Sequence, residues 1–239
     1  MSKILICVFI SCVYSFVSAQ TYKVFKGDTI NRVDSKGMKQ GSWKKYYSND
    51  TLFSEGVYKN NAHTGIFKTY FKNGIQQSAL KFRGTTEICN AELFYEDGKI
   101  MSKGKYINHE KDSLWIYFDE DGNKNAEEFY KDSKKEGIWK IFYQSGKPSQ
   151  VVIYKAGKKN GPYKEFFESG NPKIEAVMVD DEFQGEVRIF HPNLQIWQSG
   201  LYVNGLKEGR WIINKEDGSL EKEEIYKSGE LTNPVSEHN

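Results

Sequence analysis

The chain has 239 residues, with 34 Lys and Arg against 32 Asp and Glu and a formal net charge of +2. That near balance argues against a general nucleic-acid binder, which gathers positive charge on one face. The length allows one or two ordinary globular domains, but a strict internal period displaces that division, because an array of small units has no single core to divide.

Residues 1–19 differ from everything after them. Lys3 supplies a positive start, Ile4 to Val17 an apolar stretch, and Val17-Ser18-Ala19 a small-residue cleavage site before Gln20. The pattern predicts a secretory signal peptide, which is set aside from the fold. The apolar stretch falls short of the roughly 18 residues of a membrane span, and Phe9-Ile10-Ser11 makes a poor lipid-attachment signal ahead of Cys12. Cleavage takes Cys7 and Cys12 away and leaves Cys89 alone, so no internal disulfide is expected even in an oxidising compartment. It also removes Lys3, which takes the net charge from +2 to +1. The expected destination is periplasmic, cell-surface or secreted.

Residues 20–40 are predicted to form a degenerate capping unit. Asp28 to Gln40 reads as the second half of a repeat, with Lys36-Gly37 at its late turn. Terminal units of an array are expected to be atypical, since they cover an otherwise sticky sheet edge.

From 41 to 232 the chain repeats every 24 residues. Gly41, Gly65, Gly137, Gly161, Gly185 and Gly209 fall on that grid, and Cys89 and Ser113 fill its other two points. Two residues beyond each point stand Trp43, Phe67, Ala91, Trp115, Trp139, Tyr163, Val187 and Trp211; five beyond stand Tyr46, Tyr70, Phe94, Phe118, Phe142, Phe166, Phe190 and Asn214. Seventeen beyond come Tyr58, Phe82, Tyr106, Tyr130, Tyr154, Met178, Tyr202 and Tyr226. Turn pairs such as Asn73-Gly74 and Asp97-Gly98 occupy the middle of the unit, and Asn204-Gly205 and Ser228-Gly229 its end. Such pairs suit type I′ hairpin turns, and the runs between them are rich in strand-forming residues. Each unit is therefore predicted to be a β-hairpin.

Side chains alternate along a strand, so aromatics at both the second and fifth positions put bulk on both faces of the sheet. A sandwich with one wet face per sheet fits that poorly. The expected fold is all-β, an elongated single-layer antiparallel meander of about eight 24-residue hairpins, on the order of 80 Å long at about 4.8 Å per strand. Residues 233–239 are expected to form a tail.

No catalytic arrangement stands out. His63, His109, His191 and His238 are scattered away from ligand spacing, and no nucleophile elbow, P-loop or zinc signature is present. The acidic clusters Glu96-Asp97, Asp119-Glu120-Asp121 and Glu216-Asp217 fall at turns, where Asp serves the backbone. Cys89 reads as a small residue replacing the grid glycine. No metal or cofactor is expected, and the chain is read as not an enzyme. A basic pattern is more suggestive. The third position holds Lys44, Lys68, Lys140, Lys164 and Arg188, and the eighteenth Lys59, Arg83, Lys131, Lys155 and Lys227. Together with Trp43, Trp115, Trp139, Tyr163 and Trp211, the third-position residues make the candidate binding face. It would suit an acidic partner, a glycan or lipid headgroups; alternatively the lysine stems simply cover aromatic surface.

The run Gly137-Ile138-Trp139-Lys140-Ile141-Phe142-Tyr143-Gln144-Ser145-Gly146, echoed by Gly65 to Gly74 and by Tyr202 to Gly205, resembles the MORN-repeat proteins. It is most similar to their bacterial variant form, an aromatic-rich hairpin followed by Tyr-x-x-Gly. The resemblance implies a non-catalytic scaffold that binds proteins or membrane lipids. It also implies a link to an antitoxin family whose members neutralise a partner toxin by direct binding. The leading expectation is an exported repeat scaffold that binds a macromolecule, foremost a protein. A toxin neutraliser and a carbohydrate or cell-wall binding module stay open beside it, and the oligomeric state is not specified by the sequence.

Overall fold

A computed structural model of the chain describes residues 20–25 and 27–234. The predicted signal peptide lies outside the described residues, as does the end of the predicted tail. Twenty-one strands run from β1 (Thr21–Phe25) to β21 (Glu230–Pro234), and no helix occurs among the described residues. With the exception of two strands of only two residues, each strand pairs antiparallel with its successor. The two-residue strands β11 (Lys134–Lys135) and β16 (Glu182–Phe183) are the first parts of β12 (Gly137–Phe142) and β17 (Gly185–Phe190), cut off by a bulge, because β10 (Lys124–Lys131) and β15 (Pro172–Val179) each pair with both pieces. Every substantial contact joins neighbours in this meander. The result is one open sheet, a single layer of repeated hairpins.

The two turns of each unit are built differently. At the late turns two successive residues have positive φ: Asn60 and Asn61 at 51° and 68°, and Asn204 and Gly205 at 49° and 76°. These are the expected type I′ turns, whose twist matches a two-stranded hairpin. The early turns depart from that expectation. At the first, the Tyr47 carbonyl accepts from the Asp50 N–H at 3.1 Å and the Tyr47 N–H donates to the Thr51 carbonyl at 2.8 Å. Only the last loop residue has positive φ, as at Asp50, Gly74, Gly98 and Gly122. This is a three-residue loop, a type I turn closed by a G1 bulge. A single demanding position explains why one glycine per early turn is enough. Asp34 to Met38 repeats this hydrogen-bond pattern, so Lys36-Gly37 makes an early-type turn rather than a late one. Leu194 occupies the demanding position of its unit at φ 74° with its side chain exposed. The left-handed region costs a residue with a Cβ about 1–2 kcal/mol, so Leu194→Gly is expected to raise stability by about 0.5–1 kcal/mol in urea unfolding after glycine's own entropy cost.

The grid glycines mark a bulge. Gly41, Gly65, Gly137, Gly161, Gly185 and Gly209 have φ between 67° and 118°, and Ser113 keeps the conformation at 60°. Opposite them the register shifts, as between Glu55 and Val57 against β5 (Ala62–Tyr70). Cys89 breaks the rule, because it lies in regular strand and pairs directly with Phe82 without a shift. The loop before it is longer, with the Arg83 N–H donating to the Ile88 carbonyl. The residues other units place in the bulge have moved into this loop, which keeps the spacing of 24.

One face of the sheet, here the inner face, carries the second and seventeenth positions. Trp115 and Trp211 are 0% exposed. Their depth comes from a large–small alternation across strands. A Cβ at Gly104 would lie 2.3 Å from Trp115 Cδ2, at Gly200 2.3 Å from Trp211 Cδ2, and at Gly56 2.1 Å from Phe67. Each ring lies against bare backbone of the preceding strand. The indole N–H groups of Trp115, Trp139 and Trp211 donate to the carbonyls of Lys105, Phe129 and Leu201 at 3.1, 3.0 and 3.3 Å. A buried cluster around Trp139, Val152, Tyr154, Tyr163, Met178 and Val187 continues the row. Neighbouring units are tied further by Tyr47, Tyr95 and Tyr143, whose hydroxyls donate to the carbonyls of Tyr70, Phe118 and Phe166.

Candidate binding surfaces

In five units the inner ring is covered by a lysine from two residues before the grid point. The ammonium groups of Lys111, Lys135, Lys159 and Lys207 lie 4.8, 4.3, 5.7 and 4.1 Å from the ring centres of Trp115, Trp139, Tyr163 and Trp211. Lys39 stands likewise over Trp43 and Tyr58, and His63 stacks on Phe82 at 5.0 Å. Burial pushes the Lys111 and Lys207 ammonium groups below the ordinary lysine range, against the pull of Glu128 and Glu224. These cations stabilise the rings electrostatically and shield them from water. The inner face is therefore mostly occupied by its own side chains.

Sequence reasoning missed this row. Its signal was a period of 24 through Lys39, Lys111, Lys135, Lys159 and Lys207, broken at His63, Glu87 and Phe183.

The ten residues of the candidate face are divided by the sheet. Trp43, Trp115, Trp139, Tyr163 and Trp211 belong to the inner face, whereas Lys44, Lys68, Lys140, Lys164 and Arg188 are the next residues of strand or stand in that register, so alternation sends them to the opposite, outer face. There the cations meet acids. Lys44 lies 3.9 Å from Glu55, Lys140 3.7 Å from Glu127, Lys164 3.0 Å from Glu175, and Arg188 3.0 Å from the same carboxylate. Lys68 sits across from Glu55 in register. This middle row is a ladder of alternating charge rather than a basic groove. The eighteenth-position cations Lys59, Arg83, Lys131, Lys155 and Lys227 are exposed, at the strand ends next to the late turns.

The fifth-position aromatics share the outer face with the charge ladder. Tyr70 donates to Glu55 at 2.7 Å, and burial followed by that bond pushes its phenol up to about 12. Lys124 stands 4.2 Å from the Phe142 ring centre. On the other side of the ladder runs an apolar band. Leu114, Phe129, Ile138, Val177 and Leu201 are 40–54% exposed, and Leu114 is directly opposite Phe129. Leu114, Phe129, Ile138, Glu127 and Lys140 line a shallow groove of about 340 Å³. Single exposed apolar residues are ordinary, but a row of them along several strands marks an interaction surface. Sequence reasoning did not isolate this band, because its first and sixteenth positions vary from unit to unit, as in Ser42 and Glu186 against Leu114 and Ile138.

Chemical groups do not converge in the same way. Among the described residues, no three His, Cys, Asp or Glu side chains stand where they could hold a metal. The Cys89 thiol is pushed up, chiefly by burial and then by Glu87, which holds it in the unreactive form.

Five segments of the chain, 39–60, 90–108, 111–132, 135–156 and 159–180, match the family model described as a MORN repeat variant. No curated protein matches the chain.

Proposed function

The chain belongs to the MORN repeat variant family, whose repeats are non-catalytic and generally serve binding; from that premise we propose that it is an exported, non-catalytic scaffold that binds a protein through its outer face. The observation that supports this reading is the exposed band of Leu114, Phe129, Ile138, Val177 and Leu201 beside a ladder of charges already matched within the sheet. Apolar surface rimmed by polar groups suits a protein partner. Matched charges supply register and specificity more than affinity. An acidic polymer or anionic membrane finds fewer uncompensated cations here than the lysine count suggests. Export rests on the leader pattern of residues 1–19.

Both parts are open to direct tests. The mature protein is expected to begin at Gln20 by intact mass and to be absent from the cytoplasmic fraction; a retained Met1 terminus in that fraction would remove the export reading. For binding, tagged mature protein is expected to capture one dominant protein from envelope extract, and the double variant Ile138→Asp and Val177→Asp to lose it at least tenfold while keeping the wild-type circular dichroism. Capture unaffected by those changes would relocate the interface, and retention on purified wall glycan with no protein captured would favour the carbohydrate reading. A captured toxin whose activity falls on binding would give the neutralising role its support.

A further inference from the structure

The row of rings on the inner face is interrupted in two units: one has Val187, buried in a cluster against which Phe183 packs, and the other has only an alanine. Trp43, Phe67, Trp115, Trp139, Tyr163 and Trp211 fill the second position of their units, but the third unit has Ala91 there. Its cross-strand partner is Leu80, where the units on either side have Gly56 and Gly104. Leu80 returns part of the missing bulk, yet a cavity of about 280 Å³ is left, walled by Leu80, Phe82, Cys89 and Tyr106, with Glu87 and His109 at its late-turn end. It continues toward the early turns as a second hollow of about 440 Å³ that shares Ser78 and Leu93 with the first.

The covering cation is missing as well. Where other units place Lys39, Lys111, Lys135, Lys159 or Lys207, this unit has Glu87. Its carboxylate lies 3.1 Å from His109 Nε2, and both side chains are largely open to water. The unit therefore lacks the two parts that complete five of its siblings, a ring and a lysine, and is alone in having an acid in the position of the charge. We propose that this notch receives an aromatic side chain borne next to a basic one on a partner protein. The ring takes the place that Trp115 and Trp139 take in their own units, against Phe82 and Tyr106, and the basic group meets Glu87.

The size agrees, since 280 Å³ is near the lower limit for small-ligand sites and suits one ring system. The chemistry also agrees, because a ring enclosed by aromatic edges and a cation beside a carboxylate reproduce the environment of the neighbouring units. The proposal rests on the protein-binding reading for the identity of its occupant, while the notch can be probed separately from it.

Tryptamine and the neutral N-acetyltryptophanamide serve as probes of the mature protein, followed by amide chemical shifts in NMR titrations. Both are expected to shift residues around Cys89, Ala91 and Tyr106, with tryptamine at least fivefold tighter. Glu87→Lys, at an exposed position, is expected to abolish that preference and leave the neutral amide unaffected. The double variant Leu80→Gly with Ala91→Trp rebuilds the Gly104–Trp115 arrangement and is expected to fold and to exclude both probes. The proposal is overturned by shifts spread evenly over all units, by equal affinity for the two probes, or by a preference for tryptamine that survives Glu87→Lys. If the tryptamine result holds but no protein is captured, the partner reading falls and the site stands. If a partner is captured equally well by the Glu87→Lys and rebuilt variants, the site falls and the partner reading stands.

Discussion

Gly104→Ala is expected to destabilise the protein by about 3–5 kcal/mol, as much as a large cavity in an ordinary core, although it adds one methyl group. The new Cβ would lie 2.3 Å from Cδ2 and 2.4 Å from Cε2 of Trp115, and the contacted atoms belong to a rigid ring rather than to the end of a flexible chain. Overpacking alone costs about 1–3 kcal/mol. Moving the ring also breaks the indole hydrogen bond to the Lys105 carbonyl, worth about 1 kcal/mol, and exposes an otherwise enclosed side chain. Trp115→Ala is expected to cost about 3–5 kcal/mol by loss of the ring itself. The two changes act on one contact, so the double variant is expected to be no less stable than Trp115→Ala alone, a coupling equal to the whole Gly104→Ala loss of about 3–5 kcal/mol. Urea unfolding of the four proteins measures it. Additive losses would show that the ring does not rest on the Gly104 backbone.

Alkaline unfolding between about pH 10 and pH 12 is the second large effect. Tyr58, Tyr70, Tyr106, Tyr117, Tyr130, Tyr154, Tyr163 and Tyr202 all have their phenols raised, with burial the leading cause in each. Tyr70 and Tyr130 are pushed up to about 12. A folded-state value above the unfolded one means that the folded chain keeps protons the unfolded chain gives up. The associated stability is present in full below pH 10 and falls as pH rises through the folded values. Lys111 and Lys207 act in the opposite direction, since their lowered values make stability rise with pH up to about 10.5. Eight phenols outweigh two amines, so the net slope above pH 10 is negative. Tyrosinate absorbance is expected to lag behind that of free tyrosine and then rise together with loss of the strand signal in circular dichroism. Free-tyrosine titration with the strand signal intact would contradict it.

The repeat was legible in the sequence because the backbone demands it. A positive φ at the bulge selects glycine at six of eight grid points, and the early turn selects another, so the spacing of 24 is a record of dihedral angles. Cys89 shows where that record misleads. Small size suggested a simple replacement of glycine, but the bulge itself is gone and its residues lie in the preceding loop.

The binding face was less legible. The cations of the third position were visible, whereas their acidic partners lie across the hairpin, as Glu55 lies from Lys44 and Glu175 from Lys164. Reading position fourteen against position three would have found them. The tryptophans and lysines were joined by adjacency in sequence, although adjacent strand residues face opposite sides. The glycines beneath the rings, Gly56, Gly104 and Gly200, recur only in some units, so their approach to Phe67, Trp115 and Trp211 on the following strands needed the bulged register.

Small-angle X-ray scattering of the mature protein tests most directly whether the hairpins form one extended layer. About nineteen rungs at roughly 4.8 Å give a ribbon on the order of 85 Å long and a radius of gyration of about 25 Å. A compact domain of similar length would give about 17 Å. A value near the first, with an extended pair-distance tail, is the predicted result. A value near the second, with a symmetrical distance distribution, would mean that the sheet closes on itself, and the inner and outer faces described here would not exist as separate surfaces.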